Sequence, residues 1–210
     1  MKVVKQKYEI LTPISVGGIE ELSFIERAAR TCYKSESHMT EDLTSAKKLI
    51  KSLIDHGHEA MLEHSILSVK FTCDRAIANE IVRHRLFSFA QESTRYVNYG
   101  GSDICLIAPL SFSPSSDAYR IWEHACAASE SAYNGLIRVG ARPEEARSVL
   151  NNSLKTEIVV TGNYREWRHF LYLRTSDAAH PQIRSLSREL LNDLYHSIPI
   201  IFDDIWMKNH

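Results

Sequence analysis

Glycine is scarce in this chain, with 8 among 210 residues, and none stands in a GxGxxG or GxxxxGKS/T pattern. A Gly-rich loop at a helix N-terminus is therefore excluded as a cradle for nucleotide phosphates. Cysteine is scarce as well. Cys32, Cys73, Cys105 and Cys126 are scattered and form no CxxC pair, which argues for small, reduced, buried thiols in a cytosol rather than a disulfide framework or a zinc site. Neither charge sign is in excess: 25 Lys and Arg face 26 Asp and Glu, for a net charge of -1. A general affinity for nucleic acid is excluded on that ground, and any anion binding must be local. No apolar run approaches a membrane span. The opening MKVVKQKYEILTPIS alternates apolar and polar residues and lacks the apolar core of a signal peptide. There is no internal repeat and no low-complexity tract. What remains is a cytoplasmic globular chain, 44% hydrophobic, read as a single domain over residues 1–210.

Periodicity predicts an alternation of strands and clustered helices. Strands are expected over Val3 to Leu11, Ser65 to Thr72, Phe89 to Asn98, Ile104 to Ala108 and Lys155 to Thr161. Helices are expected over Ile19 to Tyr33, with Leu22, Ile25 and Ala29 on one face, and over Asp42 to His56, with Leu49, Ile50, Leu53 and Ile54 as the apolar stripe. Further helices are expected over Arg75 to Phe87 behind an Asp74 cap, Ala118 to Val139 behind Asp117, Glu144 to Leu150 after Pro143, Tyr164 to Leu173 and Gln182 to Tyr195. Regular βαβ alternation is absent, so the fold class is α+β.

Cations are concentrated in RHRLFSFAQESTRY, residues 83–96. Arg83, His84 and Arg85 are placed at a helix end, where the dipole favours positive charge. Gln91, Ser93 and Arg95 then alternate on one face of an extended segment. An amide, a hydroxyl and a guanidinium in a row suit a phosphorylated, hydrogen-bonding ligand; the same row serves as a solvated or ion-paired surface. Downstream, Arg147, Arg165, Arg168, Arg174 and Arg184 follow, with Arg165 and Arg168 at i,i+3 spacing.

Arg83-His84-Arg85, Ser93 and Arg95 together read RHR-x7-S-x-R. This resembles the signature of flavin-dependent thymidylate synthase, the thymidylate synthase-complementing protein family. HGHEAMLEHS (56–65), ARSVL (146–150) and TGNYREWRHFLYLR (161–174) are similar to further family segments, so the resemblance covers most of the chain. The sequence departs from the family pattern at Asn151, where Pro is frequent, at His180 and Gln182 in AHPQIR, at Glu80, where Gln is frequent, and at Gln91, often acidic, with Glu92 beside it.

The resemblance implies a twisted, mainly antiparallel central sheet flanked by helices, assembled as a homotetramer with active sites shared between subunits. It implies a methyltransferase that converts dUMP to dTMP, with 5,10-methylenetetrahydrofolate as carbon donor and FAD, reduced by NADPH, as hydride carrier. It places FAD at His58, Arg83, His84, Arg85, Gln91, Asn163, Arg165 and His169. It places dUMP at Glu80, Arg83, Gln91, Glu92, Ser93, Arg95, Arg147 and Arg174, with Arg174 catalytic at the uracil ring.

Two readings of these residues compete with simpler ones. Ser93 has Arg95 two places on but no base identifiable in the sequence, and flavin hydride delivery makes a protein nucleophile unnecessary. Ser93 is therefore assigned to substrate binding, and no Cys is assigned as nucleophile. His58, Glu63 and His64 are conceivable metal ligands, yet the segment is not HExxH and has no Cys nearby, so no metal is expected. His124 and His196 are expected to be structural or exposed, and Trp122, Trp167 and Trp206 to lie in core or interface. The alternatives to the synthase are a nucleotide- or RNA-binding module without catalysis, a degenerate FAD- and nucleotide-binding member of the same fold, and a different flavoprotein reductase.

Overall fold

The computed structural model describes residues 1–101 and 104–209. In chain order the elements are strands β1 (Lys2–Val3) and β2 (Lys7–Ile10), helices α1 (Ile19–Thr31) and α2 (Thr44–Asp55), strand β3 (Ile66–Asp74), helix α3 (Arg75–Ile81), strands β4 (Ser88–Gln91) and β5 (Cys105–Leu106), helices α4 (Asp117–Arg138) and α5 (Pro143–Ala146), strand β6 (Lys155–Asn163), and helices α6 (Tyr164–Arg174), α7 (Pro181–Ser197) and α8 (Pro199–Lys208). Short 3-10 segments cover Glu59–His64 and Arg147–Val149. Four strands form an antiparallel sheet in the order β2-β3-β6-β4, and β1 pairs in parallel with β5. The class is mixed helix and sheet, as expected.

The chain divides into two compact units, one of residues 1–8, 70–84 and 89–159, the other of residues 9–69, 85–88 and 160–210. In the first, Ile104, Leu106, Cys126, Tyr133, Ala146 and Leu154 make a buried cluster. The hydroxyl of Ser129 on α4 donates to the Val149 carbonyl at 2.6 Å, and Trp122 Nε1 donates to Ser153 Oγ at 2.8 Å. These bonds brace the segment that carries Arg147. In the second unit, Leu22 and Ile25 of α1, Ile50 of α2 and Leu186, Leu190 and Leu194 of α7 are buried. Trp167, also buried, donates through Nε1 to the Leu67 carbonyl at 2.9 Å. The expected α1 face is observed; on α2 the buried line is Ala46, Ile50 and Ile54, with Leu49 and Leu53 half-buried.

Several expected boundaries move. The strand over Val3 to Leu11 is two strands with different partners. The helix from Arg75 stops at Ile81: Val82 N still bonds to Ala78 O at 3.1 Å, but the next amides bond into tighter turns, Arg83 to Glu80 O at 3.3 Å and His84 to Ile81 O at 3.1 Å. Arg83, His84 and Arg85 therefore lie beyond the helix. The strand over Phe89 to Asn98 ends at Gln91, so Ser93 and Arg95 do not share a strand face with Gln91. Ser93 captures the local backbone instead: its carbonyl accepts from Tyr96 N and Val97 N, and its hydroxyl from Arg95 N at 3.2 Å. The cap of α4 is Ser116, whose Oγ accepts from Tyr119 N, with Asp117 the first helical residue. The helix expected over Glu144 to Leu150 is the single turn α5 followed by 3-10 backbone. Helix α8, behind Pro199, lies outside the expected elements.

Candidate functional site

The first unit gathers the candidate nucleotide residues of RHRLFSFAQESTRY with Arg147. The turn at Ser93 sets Arg95 beside α5, and Arg95 Nε lies 2.9 Å from Glu144 Oε2. The other oxygen of that carboxylate lies 3.0 Å from Arg142 Nη2. Arg147, at the start of the 3-10 turn, donates from Nη1 to Thr94 Oγ1 at 3.4 Å. Thr94 is buried. The Ser93–Arg95 turn and the α5 segment are thus tied together, and both Arg95 and Arg147 keep exposed side chains. Thr94, Arg142 and Glu144 escaped the sequence reading; Thr94 and Glu144 belong here through Arg147 and Arg95, 53 and 49 residues away, and Arg142 through its pairing with Glu144.

Beside this turn a polar network faces inward. Glu92 accepts from Tyr99 Oη at 2.8 Å, from the Glu157 amide at 3.2 Å and from Lys155 Nζ at 3.1 Å. Burial, then the bond to Glu92, pushes the Tyr99 phenol up. Burial works against the Lys155 charge, but Glu92 and Glu157 outweigh it and its pKa is raised. Gln91 Nε2 and Arg75 Nη1 both donate to Thr156 Oγ1, each at 3.4 Å. The carboxylate of Glu92 is thereby bound within its own unit, and the Gln91 amide is oriented. Glu80 is half-buried on α3, His84 is buried and Arg83 is exposed.

In the second unit, α2 closes on a Schellman turn. Gly57 takes φ 70°, His58 N donates to Leu53 O at 2.7 Å and Gly57 N to Ile54 O at 2.9 Å. His58 is thereby presented on the surface. The following 3-10 segment is held at both ends by α6: Arg165 Nη1 lies 2.6 Å from Glu63 Oε1, and Arg168 Nη2 lies 3.1 Å from Glu59 Oε1. Arg168 also grips Asp204 through two bonds of 2.7 and 2.8 Å and reaches the Ile201 carbonyl. It is buried, so this member of the Arg165/Arg168 pair is a structural brace, while Arg165 is exposed. Asn163 caps α6, its Oδ1 accepting from Glu166 N at 2.9 Å. His169 and Arg85 are exposed.

Arg174 ends α6 half-buried. The backbone beyond it is pinned by α7, with Arg188 Nε donating to Thr175 O at 3.0 Å and Arg188 Nη2 lying 3.1 Å from Asp177 Oδ1. The departures in AHPQIR have a local cause. His180 Nδ1 accepts from Gln182 N at 3.3 Å and so caps α7, with Pro181 at its first turn and Gln182 buried. Asn151 replaces Pro with a side-chain turn, its Oδ1 accepting from Ser153 N at 3.0 Å and its Nδ2 donating to Cys126 Sγ at 3.2 Å.

Burial pushes the Cys73 thiol up to about 12 and raises Cys126 as well. Among the described residues no group of three or more His, Cys, Asp and Glu is arranged to hold a metal ion. None of the described helices is long and apolar enough to cross a membrane.

Comparison with known proteins gives concordant findings. The family model described as thymidylate synthase complementing protein matches residues 19–200. A flavin-dependent thymidylate synthase of Mycolicibacterium vanbaalenii is 34% identical over 198 residues, covering 87% of this chain and 78% of that protein. One from Mycolicibacterium gilvum is 35% identical over 199 residues, with coverage of 87% and 78%. One from Mycobacterium tuberculosis is 34% identical over 198 residues, again at 87% and 78%. Among solved structures, a UMP/dUMP methylase, PolB, from Streptomyces cacaoi bound with 5-Br dUMP superposes with a TM-score of 0.79 at 20% identity, covering 99% of this chain and 97% of that one. That likeness shows the fold.

Proposed function

The chain belongs to the thymidylate synthase complementing protein family, and from that premise we propose that it methylates dUMP to dTMP. The observation that carries the reading is the convergence of Ser93, Arg95 and Arg147 through the Thr94 contact in one unit. Arg95 and Arg147 bind the nucleotide phosphate, where planar guanidinium forks give bidentate, charge-assisted bonds. Ser93 anchors the nucleoside. Arg83, Glu80, Gln91 and Glu92 border it, Glu92 chiefly by holding the turn in shape. Arg174 lies at the uracil ring, where a fixed cation favours the ring ionised at N3 and makes C5 electron-rich.

FAD is assigned to His58, Arg83, His84, Arg85, Gln91, Asn163, Arg165 and His169. The donor set suits it. Arg83 and Arg85 are exposed and enter no ion pair among the described residues, and the chain has no Gly-rich loop to compete for the pyrophosphate. When bound, the flavin supplies the hydride that completes the methyl group, with NADPH as reductant and 5,10-methylenetetrahydrofolate as carbon donor. A Cys nucleophile is unnecessary, and the raised thiols of Cys73 and Cys126 are poor candidates for one. The enzyme works in the cytoplasm as a homotetramer with active sites shared between subunits.

The test is direct. Purified protein should be yellow with flavin absorption, and its gene should rescue a thymidine-requiring strain. Arg174→Ala should abolish rescue while retaining flavin. A colourless protein that cannot be reconstituted with FAD, or rescue by Arg174→Ala equal to the parent's, would overturn the reading.

A further inference from the structure

We propose that Arg142 is a third guanidinium of the nucleotide phosphate seat, and that the Glu144 carboxylate stands in that seat as a built-in anion which the phosphate displaces. The inference rests on the assignment of Arg95 and Arg147 to the phosphate. One carboxylate bridges two guanidiniums: Glu144 Oε2 takes Arg95 Nε at 2.9 Å, and Oε1 takes Arg142 Nη2 at 3.0 Å. Two cations aimed at the two oxygens of a single small anion is the arrangement a phosphomonoester would also draw. Among the described residues Glu144 bonds nothing else through its side chain. Its neighbour Glu145 does the structural work of the turn, accepting from the Arg142 backbone amide at 3.0 Å. Glu144 can therefore swing away without unfolding α5.

Exchange is feasible because the pair is wet. The side chains of Arg95 and Arg142 are 57% and 71% exposed, and that of Glu144 is 28% exposed. Such ion pairs are weak and yield to a dianion that engages several guanidiniums at once. The placeholder keeps the arginines converged and costs weak monoanions their advantage.

The test uses the full-length FAD-loaded enzyme and titration calorimetry with dUMP, with deoxyuridine as the phosphate-free control. Arg142→Ala should weaken dUMP about five- to tenfold, and Arg142→Lys, which keeps the charge without the fork, should weaken it less. Glu144→Gln should tighten dUMP about two- to fivefold. The affinity for deoxyuridine should stay unchanged in every variant, and inorganic phosphate should compete better against dUMP in Glu144→Gln than in the parent. If Arg142→Ala and Arg142→Lys both bind dUMP like the parent, or Glu144→Gln binds it more weakly, the seat is wrong. Failure of the parent itself to bind dUMP would instead sink the underlying assignment, and this one with it.

Discussion

Arg95, Arg147 and Arg174 carry the same guanidinium, and their surroundings give them different work. Arg95 and Arg147 are exposed side chains joined to one turn through Ser93, Thr94 and Glu144. Arg174 is half-buried at the end of α6, with the backbone after it pinned by Arg188. A phosphate contact made equally in ground and transition states changes binding alone, whereas a contact that strengthens with charge on the ring changes turnover. Arg95→Ala should therefore raise KM for dUMP about tenfold with kcat little altered. Arg174→Ala should lower kcat at least about a hundredfold. Steady-state kinetics with dUMP as the varied substrate separates the two, and a reversed pattern would refute the assignment. The thiols call for a parallel argument. Replacing Cys32, Cys73, Cys105 and Cys126 together by Ala should leave dTMP formation measurable by chromatography. Complete loss in a variant that still folds and holds FAD would reopen covalent catalysis.

At the scale of elements, the turns decide where chemistry is presented. Phe87 closes the loop after the arginine triplet by packing against Trp167, with ring centroids 4.7 Å apart, and against Phe170 at 5.9 Å. Gly162 in β6 makes room for it, since a methyl group there would overlap the Phe87 ring. The ring is held between two buried aromatics and has no easy retreat. Gly162→Ala should cost about 1–3 kcal/mol, which at this chain length lowers the melting temperature about 2–4 °C per kcal/mol. An unchanged melting curve by calorimetry would contradict this account. The same turns explain what the sequence made legible. The RHR-x7-S-x-R spacing located Ser93 and Arg95 because that motif is local. Alternation carried the strand reading past Gln91 into residues that turn, because Ser93 bonds its own neighbours and nothing in the apolar/polar pattern records that. The helix reading ran past Ile81 for a similar reason: a helix end without Gly or Pro leaves little trace. Helix α8 went unread because IPIIFDDIW is apolar on several sides and shows no clean stripe. Glu144 was invisible as a partner because its pairing with Arg95 spans 49 residues.

For the whole molecule, near-neutral charge hides opposed titrations that bound its stability. Asp42, Glu145 and Asp204 are carboxyls held low in the fold. Asp42 is held at about 2 by hydrogen bonds from Thr40 and Thr44, and Glu145 is lowered by the Arg142 amide. For Asp204, burial opposes the charge, but the Arg168 guanidinium wins and its pKa falls. Since these folded values lie below the unfolded ones of about 3.9 to 4.3, the stability they contribute is present above that range and is lost as pH falls toward 2. At the other end, Cys73 is pushed up to about 12 by burial, and burial also raises Cys126, Tyr99 and Tyr164. Their unfolded values are about 8.5 for Cys and about 10 for Tyr. The stability they contribute is complete below those values and is lost as pH rises through the alkaline range, because the unfolded chain ionises first. A melting temperature followed against pH should accordingly be level between about 5 and 8, fall below about 4 and fall again above about 9. Cys73→Ala should soften the alkaline fall without touching the acid one, since only that thiol is removed and its methyl-sized replacement keeps the site apolar. An alkaline limb unchanged in Cys73→Ala would show that the buried thiol contributes nothing there and that the tyrosines set it.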